Sequence, residues 1–251
     1  MQKYPPEIQK LLKEVDKLQK QINRKRPLEQ KRIQLLKNYY LIGLTYTSNS
    51  LEGNSLTESE TKVVIEEGLT IGGKPLRDHL EAQGHARAYE YMFSLISKKG
   101  VNIKDILKLH KLFYEKIDGE NAGRYREVEM LITGSKYSFP KPKDIEELMK
   151  EFEKKVKEYI KDEHPAVAAI KIHKDFVNIH PFVDGNGRIA RLIMNLILLQ
   201  HGYNIMIVPT ILRSRYMESL EKAHTDDTDF IELILNCLIE SQREWLRLLE
   251  S

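Results

Sequence analysis

The chain has 251 residues, 41% of them apolar and 31% charged, enough for one ordinary globular domain with a short extension and too much charge for an integral membrane protein. Lysine and arginine outnumber aspartate and glutamate by only 40 to 37, which lacks the basic excess of a general nucleic-acid binder. Its one cysteine, Cys237 in FIELILNCLIE, excludes a disulfide within the chain, and no apolar leader or long uncharged run is present, so a cytoplasmic protein away from the membrane is expected, with Cys237 as a small buried hydrophobe.

From Ile8 to Ile22, Leu11, Leu12, Val15 and Leu18 recur at three- and four-residue steps and predict an amphipathic helix. A second helix is expected to begin at Pro27, take in Ile33, Leu35, Leu36, Tyr39 and Tyr40, and stop at Gly53 and Asn54. Thr57 and Glu60 match a capping box for a third helix ending near Gly68. Helical spacing returns over Leu76 to Ile96 and Ile103 to Ile117. The stretch VEMLITGSKYSFP, β-branched and aromatic with Gly134 and Ser135 at its middle, then predicts a short hairpin. Further helices are expected over Ile145 to Ile160, Ala166 to Asn178, Asn186 to His201, Arg213 to His224 and Phe230 to Leu249. The fold class is all-α with one short β-hairpin, and no internal repeat or composition shift marks a second domain. The one break suggested is near Pro27.

HPFVDGNGRIAR, from His180 to Arg191, is too polar for a plain connection between two apolar helices. Gly185, Asn186 and Gly187 permit a tight turn with outward backbone amides, and the following helix starts there with its partly positive end, which makes an anion site. Arg188 and Arg191, three residues apart on that helix, suit a polyphosphate. Asp184 would repel the same phosphates unless a hard cation lay between, so magnesium is implied. His180 ordinarily titrates near neutral pH and is the candidate general base. Each feature alone is commonplace, but together they supply base, cation ligand, anion cradle and phosphate clamps.

The string resembles the signature of the Fic family, HxFx(D/E)GNGRxxR, at every fixed position. AGRYR at Ala122 to Arg126 with the hairpin after it resembles the family's flap, and AAIKIHKDFVNIHPF resembles the helix leading into the motif. The resemblance implies a catalytic domain over residues 37–251 behind an N-terminal helical extension, residues 1–36. It also implies transfer of AMP from ATP to a serine, threonine or tyrosine hydroxyl of a target protein. In that reaction His180 takes the proton, Asp184 holds Mg2+, Gly185 to Gly187 stabilise the α-phosphate, and Arg188 and Arg191 bind the outer phosphates. The hairpin, with Ile132, Thr133, Gly134, Ser135, Lys136 and Tyr137 at its tip, would dock an extended target segment by strand addition.

Ser48 and Glu52, in TSNSLEGNSLT, resemble the family's inhibitory motif (S/T)xxxE(G/N) on a helix of about 41–54. The resemblance implies that Glu52 pairs with Arg191 and misaligns ATP, and that the same glutamate in some relatives helps water remove AMP from the modified target. Relatives often place an asparagine for the base near the helix that here reads RYMESLEKAHTDD; the nearest counterparts are His224 and Tyr216. The Doc-like, phosphate-transferring branch has lysine where this chain has Gly187, which favours nucleotide transfer. Transfer of another nucleotide or a phosphate group, a catalytically silent scaffold, and self-association into a homodimer stay open at this point.

Overall fold

The computed structural model describes residues 4–130 and 136–250. Helix α1 (Pro6–Arg24) buries Ile8, Leu12, Val15, Leu18 and Ile22 along one stripe, laid against the last helix, α10 (Thr228–Glu250). Each such side chain gains about 1.5–3 kcal/mol on leaving water, so tertiary burial, more than helix propensity, holds this helix in place.

Helix α2 (Gln30–Ser50) starts later than Pro27 would suggest. Because α1 continues to Arg24, the chain reverses over the residues that follow and becomes helical only after Glu29. At its far end Gly53, with φ of 99°, turns the chain, and the Asn54 N–H returns to the Asn49 carbonyl at 3.1 Å. Helix α3 (Glu58–Glu66) carries both halves of the expected box: the Glu60 N–H donates to Thr57 Oγ1 and the Thr57 N–H to Glu60.

Helices α4 (Leu76–Ser94) and α5 (Ile103–Tyr114) pack closely at Gly84, where any Cβ would meet the Phe113 carbonyl. Helix α5 ends short of Ile117, its last turn closing as the Ile117 and Asp118 N–H groups both reach the Tyr114 carbonyl. Helix α6 (Ile145–Asp162) leads to α7 (Pro165–Ile179), which pairs with α8 (Asn186–Gln200), and α9 (Arg213–Lys222) leads to α10. Helix α8 is the centre of the fold. Its residues from Arg188 to Leu198 are all buried, with α2, α4, α5 and α7 packed around them.

The described residues form ten α-helices and no strand, in keeping with the all-α expectation. The expected hairpin tip, Ile132, Thr133, Gly134 and Ser135, lies outside the described residues. Cys237 is buried on α10, and burial pushes its thiol up to about 12. Among the described residues no helix is long and apolar enough to cross a membrane.

Candidate active site

The site is built where α7 stops and α8 starts. Pro181 disfavours helical geometry in the residue before it, and His180 ends α7 in the left-handed region, with φ of 51° and ψ of 59°. A non-glycine residue held there stores strain of about 1–3 kcal/mol. Contacts from the chain that precedes α6 hold it. The His180 ring stacks on Phe139 with centroids 3.8 Å apart, and its carbonyl accepts from Arg126 Nε at 2.8 Å.

Arg126 is only 2% exposed. Its other nitrogens donate to the Val128 carbonyl at 2.9 Å and the Pro140 carbonyl at 2.6 Å, while its N–H donates to the Pro181 carbonyl at 2.9 Å. One guanidinium therefore ties both ends of the 128–140 segment to the histidine loop.

His110 fixes the other side of the loop. Its Nδ1 accepts from the Gly123 N–H at 2.9 Å, so the proton sits on Nε2 and is donated to the Asp184 carbonyl at 3.1 Å. Its ring lies flat on Phe182 at 3.7 Å. Gly185, with φ of 81°, then passes so close to Phe113 that a Cβ would stand 2.8 Å from the ring, which leaves room only for glycine.

The first N–H groups of α8, on Asn186, Gly187 and Arg188, have no acceptor within the helix and face outward at its positive end. The Asn186 side chain is engaged elsewhere. It bonds the Phe182 N–H and carbonyl at 2.9 and 2.8 Å, so it braces the loop and offers an anion only its backbone.

A carboxylate rests on this helix end: Glu52 lies so close to Gly187 that a Cβ there would collide with its Oε1. Arg191 Nη2 donates to Glu52 Oε1 at 2.7 Å and to the Ser48 carbonyl at 2.8 Å, and Nε donates to Ser48 Oγ at 2.9 Å. Its Nη1 reaches the Tyr216 hydroxyl at 3.3 Å, which passes its own proton toward His173 Nε2 at 2.7 Å. Burial works to raise the Glu52 pKa, but Arg191 and Arg188 outweigh it and keep the acid ionised.

Arg188 turns to different partners. It bonds Glu81 at 3.0 Å and Asp184 Oδ1 at 2.9 Å and lies over the Phe113 ring at 4.6 Å. Asp184 Oδ2 is taken by Arg77. No group of three or more His, Cys, Asp or Glu residues that could hold a metal is present among the described residues.

His180, Glu52, Gly187 and Arg191 line one cavity of about 870 Å³, closed on the far side by α9 and by Met130 and Phe139. Burial, reinforced by Arg126, lowers the His180 pKa to about 4, so the imidazole is neutral and can accept a proton.

The Fic/DOC family matches residues 100–198, which take in α7, the loop after it and α8 up to its last two residues. The chain carries a Fic domain over those residues. It is 36% identical to the protein adenylyltransferase Fic of Drosophila melanogaster over 195 residues, 76% of this chain and 39% of that protein; the Drosophila erecta counterpart gives the same values. The chain thus spans well under half the length of these curated relatives. Among solved structures it resembles Fic-1 (aa134–508) from C. elegans, with a TM-score of 0.87 and 28% identity over 97% of this chain and 73% of that one. A Fic domain containing signaling protein from Bacteroides thetaiotaomicron shares the fold at a TM-score of 0.80 and 24% identity, covering 96% of this chain and 97% of that one.

The loop 180–185 and the start of α8 bring His180, Gly187 and Arg191 to the cavity, while Asp184 and Arg188 pair with each other and with Arg77 and Glu81; Ser48 on α2 and Glu52 in the turn after it meet Arg191. Tyr216 and His224 both line the cavity, but the Tyr216 hydroxyl is engaged by Arg191 and His173, and His224 stacks on Tyr137 at 4.0 Å. The Lys136 N–H donates to Glu221 at 2.9 Å, which brings the 136–140 segment against α9. No pattern in the sequence assigns a role to Arg126, His110, Arg77, Glu81 or His173. AGRYR drew attention to the stretch around Arg126; nothing in the sequence marks the others.

Proposed function

We propose that this chain is a protein adenylyltransferase held in an off state by its own Glu52. The observation that carries the reading is a carboxylate seated at the α8 N-terminus and on Arg191, in the same cavity as a neutral, half-buried histidine. A seat that accepts one anion beside a base accepts a phosphate there, and the names of the curated relatives favour ATP as its source. In the transfer, the target hydroxyl attacks the α-phosphorus, the bond to the β-phosphate oxygen breaks, pyrophosphate leaves, and His180 Nε2 takes the hydroxyl proton. The N–H groups of Asn186, Gly187 and Arg188 neutralise the α-phosphate, and Arg191, once released by Glu52, binds an outer phosphate.

A single carboxylate, Asp184, fits a magnesium ion that arrives on the phosphates and keeps most of its other ligands from them and from water. When bound, that ion supplies charge neutralisation. The 128–140 segment, braced by Arg126, positions an extended piece of the target protein beside His180, and the lone buried cysteine suits a cytoplasmic setting. Residues 37–251 form the catalytic unit in this reading.

The test is incubation of the native chain, Glu52→Gly and Glu52→Gly/His180→Ala with labelled ATP, magnesium and a cell extract. Labelled protein bands should be strong with Glu52→Gly, weak with the native chain and absent with the double variant, which should still bind ATP. Labelling that survives loss of His180 would refute the assignment.

A further inference from the structure

A second cavity, of about 640 Å³, opens beneath the first half of α2 and shares no lining residue with the active-site cavity. Its walls include Ile33, Leu36, Phe93, Leu199 and Trp245, and its size falls in the usual range of small-molecule sites. None of the α2 residues before Tyr40 is buried, and Ile33 stays 44% exposed, so this half of the helix roofs the chamber without filling it.

A guanidinium stands at the solvent-exposed rim of the chamber. Arg26 lies over the Trp245 ring at 5.8 Å and donates to the Gly202 carbonyl at 2.6 Å, yet it pairs with no carboxylate among the described residues. The neighbouring Lys37 is different, because Glu90 neutralises it. The Tyr40 hydroxyl and Asn204 Oδ1, on residues only 2% and 3% exposed, have no hydrogen-bond partner among the described residues. Both atoms are sealed from solvent, so Arg26 carries the charge that an incoming group can reach.

We propose that this chamber binds an amphiphilic monocarboxylate, with its carboxylate on Arg26 and its apolar body between Leu36, Phe93 and Trp245. A carboxylate can form a charge-assisted pair with this exposed guanidinium, which a neutral amphiphile cannot, and a cationic one would be repelled by it. Occupancy would order the first half of α2, the same helix that carries Ser48 near its other end and leads into the turn with Glu52.

Trp245 is the only tryptophan, so its emission reports directly on the site. Titration of the full chain with dodecanoate, below its micelle concentration, should give a saturable emission change and a 1:1 stoichiometry by calorimetry. Dodecanol and dodecylammonium should bind at least about tenfold more weakly, and Arg26→Gln should weaken dodecanoate by about the same factor while leaving dodecanol unchanged. Ile33→Glu, at a half-exposed position that tolerates a charge, should also repel dodecanoate, and hydrogen exchange across residues 30–40 should slow only when dodecanoate is bound. Equal binding of dodecanoate and dodecanol, insensitivity to both substitutions, or no saturable response would overturn the proposal. So would an emission change that follows protein concentration alone, since a second copy of the chain would then cover the chamber.

Discussion

Arg77 reaches from the first turn of α4 to Asp184 and takes its Oδ2, so the acid suited to a cation is held by a guanidinium instead. Arg188 holds the other oxygen at 2.9 Å. Burial works against ionisation of Asp184, but Arg188, the Gly185 N–H and Arg77 outweigh it and keep the carboxylate charged. Arg77 is 53% exposed along its side chain, and exposed ion pairs of this kind contribute about 0.2–1 kcal/mol, so it can leave at small cost. Arg77→Ala should therefore tighten binding of magnesium-ATP by up to about fivefold, whereas Asp184→Ala should abolish transfer. Calorimetry in the Glu52→Gly background measures the first effect and labelled ATP the second. Normal turnover without Asp184 would place the cation elsewhere.

The parts of this site that are contiguous were legible in the sequence, and the parts assembled across the fold were not. Loop glycines, a histidine before proline and a capping box at Thr57 and Glu60 declare themselves because backbone geometry restricts which residues fit. Arg77 and Arg126 meet the loop from 107 and 54 residues away, and no local periodicity encodes such a meeting. The two arginines of the motif show the limit from the other side. Spaced three apart they suggest a shared direction, but three steps of about 100° leave them about 60° apart around the helix. That offset sends Arg188 to Glu81 on α4 and Arg191 to Ser48 and Glu52 at the end of α2.

The histidines around the site make the protein sensitive to mild acid. Burial holds His85 and His173 at about 3 and His110 and His180 at about 4, against an ordinary 6.5. Between those values the unfolded chain binds protons that the folded chain refuses, so stability is lost as pH falls below about 6.5. Each histidine contributes a slope of up to roughly 1.4 kcal/mol per pH unit. Urea midpoints measured from pH 8 to pH 5 should be level at first and then drop steeply below about 6.5. A midpoint unchanged down to pH 5 would mean that these rings take up protons freely in the fold.

The hydrogen bonds of Arg126 go to the carbonyls of His180, Pro181, Val128 and Pro140, which makes it a positioning residue in the proposed transfer. Arg126→Ala removes three side-chain hydrogen bonds, to the carbonyls of Val128, Pro140 and His180, and Arg126→Lys cannot restore that fork. Both variants should lower transfer by on the order of 10²-fold through displacement of the base and the docking segment. Affinity for magnesium-ATP, read by calorimetry, should stay near that of the parent. A parallel loss of ATP binding would instead point to general unfolding.

Glu52 and Arg191 meet at 2.7 Å, and substitutions of the two should act in opposite directions although both break one contact. Glu52→Gly removes the carboxylate from the anion seat beside Gly187 and frees one face of the guanidinium, while Ser48 and Tyr216 still hold Arg191 in position. Transfer should rise, by about tenfold or more if the released interaction is worth at least ~1.4 kcal/mol. Arg191→Ala empties the clamp itself and leaves Glu52 without its nearest cation, so transfer should fall and inhibition by Glu52 loses its target. In the double variant the gain from Glu52→Gly should largely vanish, giving a coupling of about 0.5–3 kcal/mol between the two positions. Initial rates of labelled AMP incorporation for the four proteins measure that coupling directly. Strong stimulation by Glu52→Gly in the Arg191→Ala background would mean that the glutamate restrains the enzyme through the α8 N-terminus alone and not through the arginine.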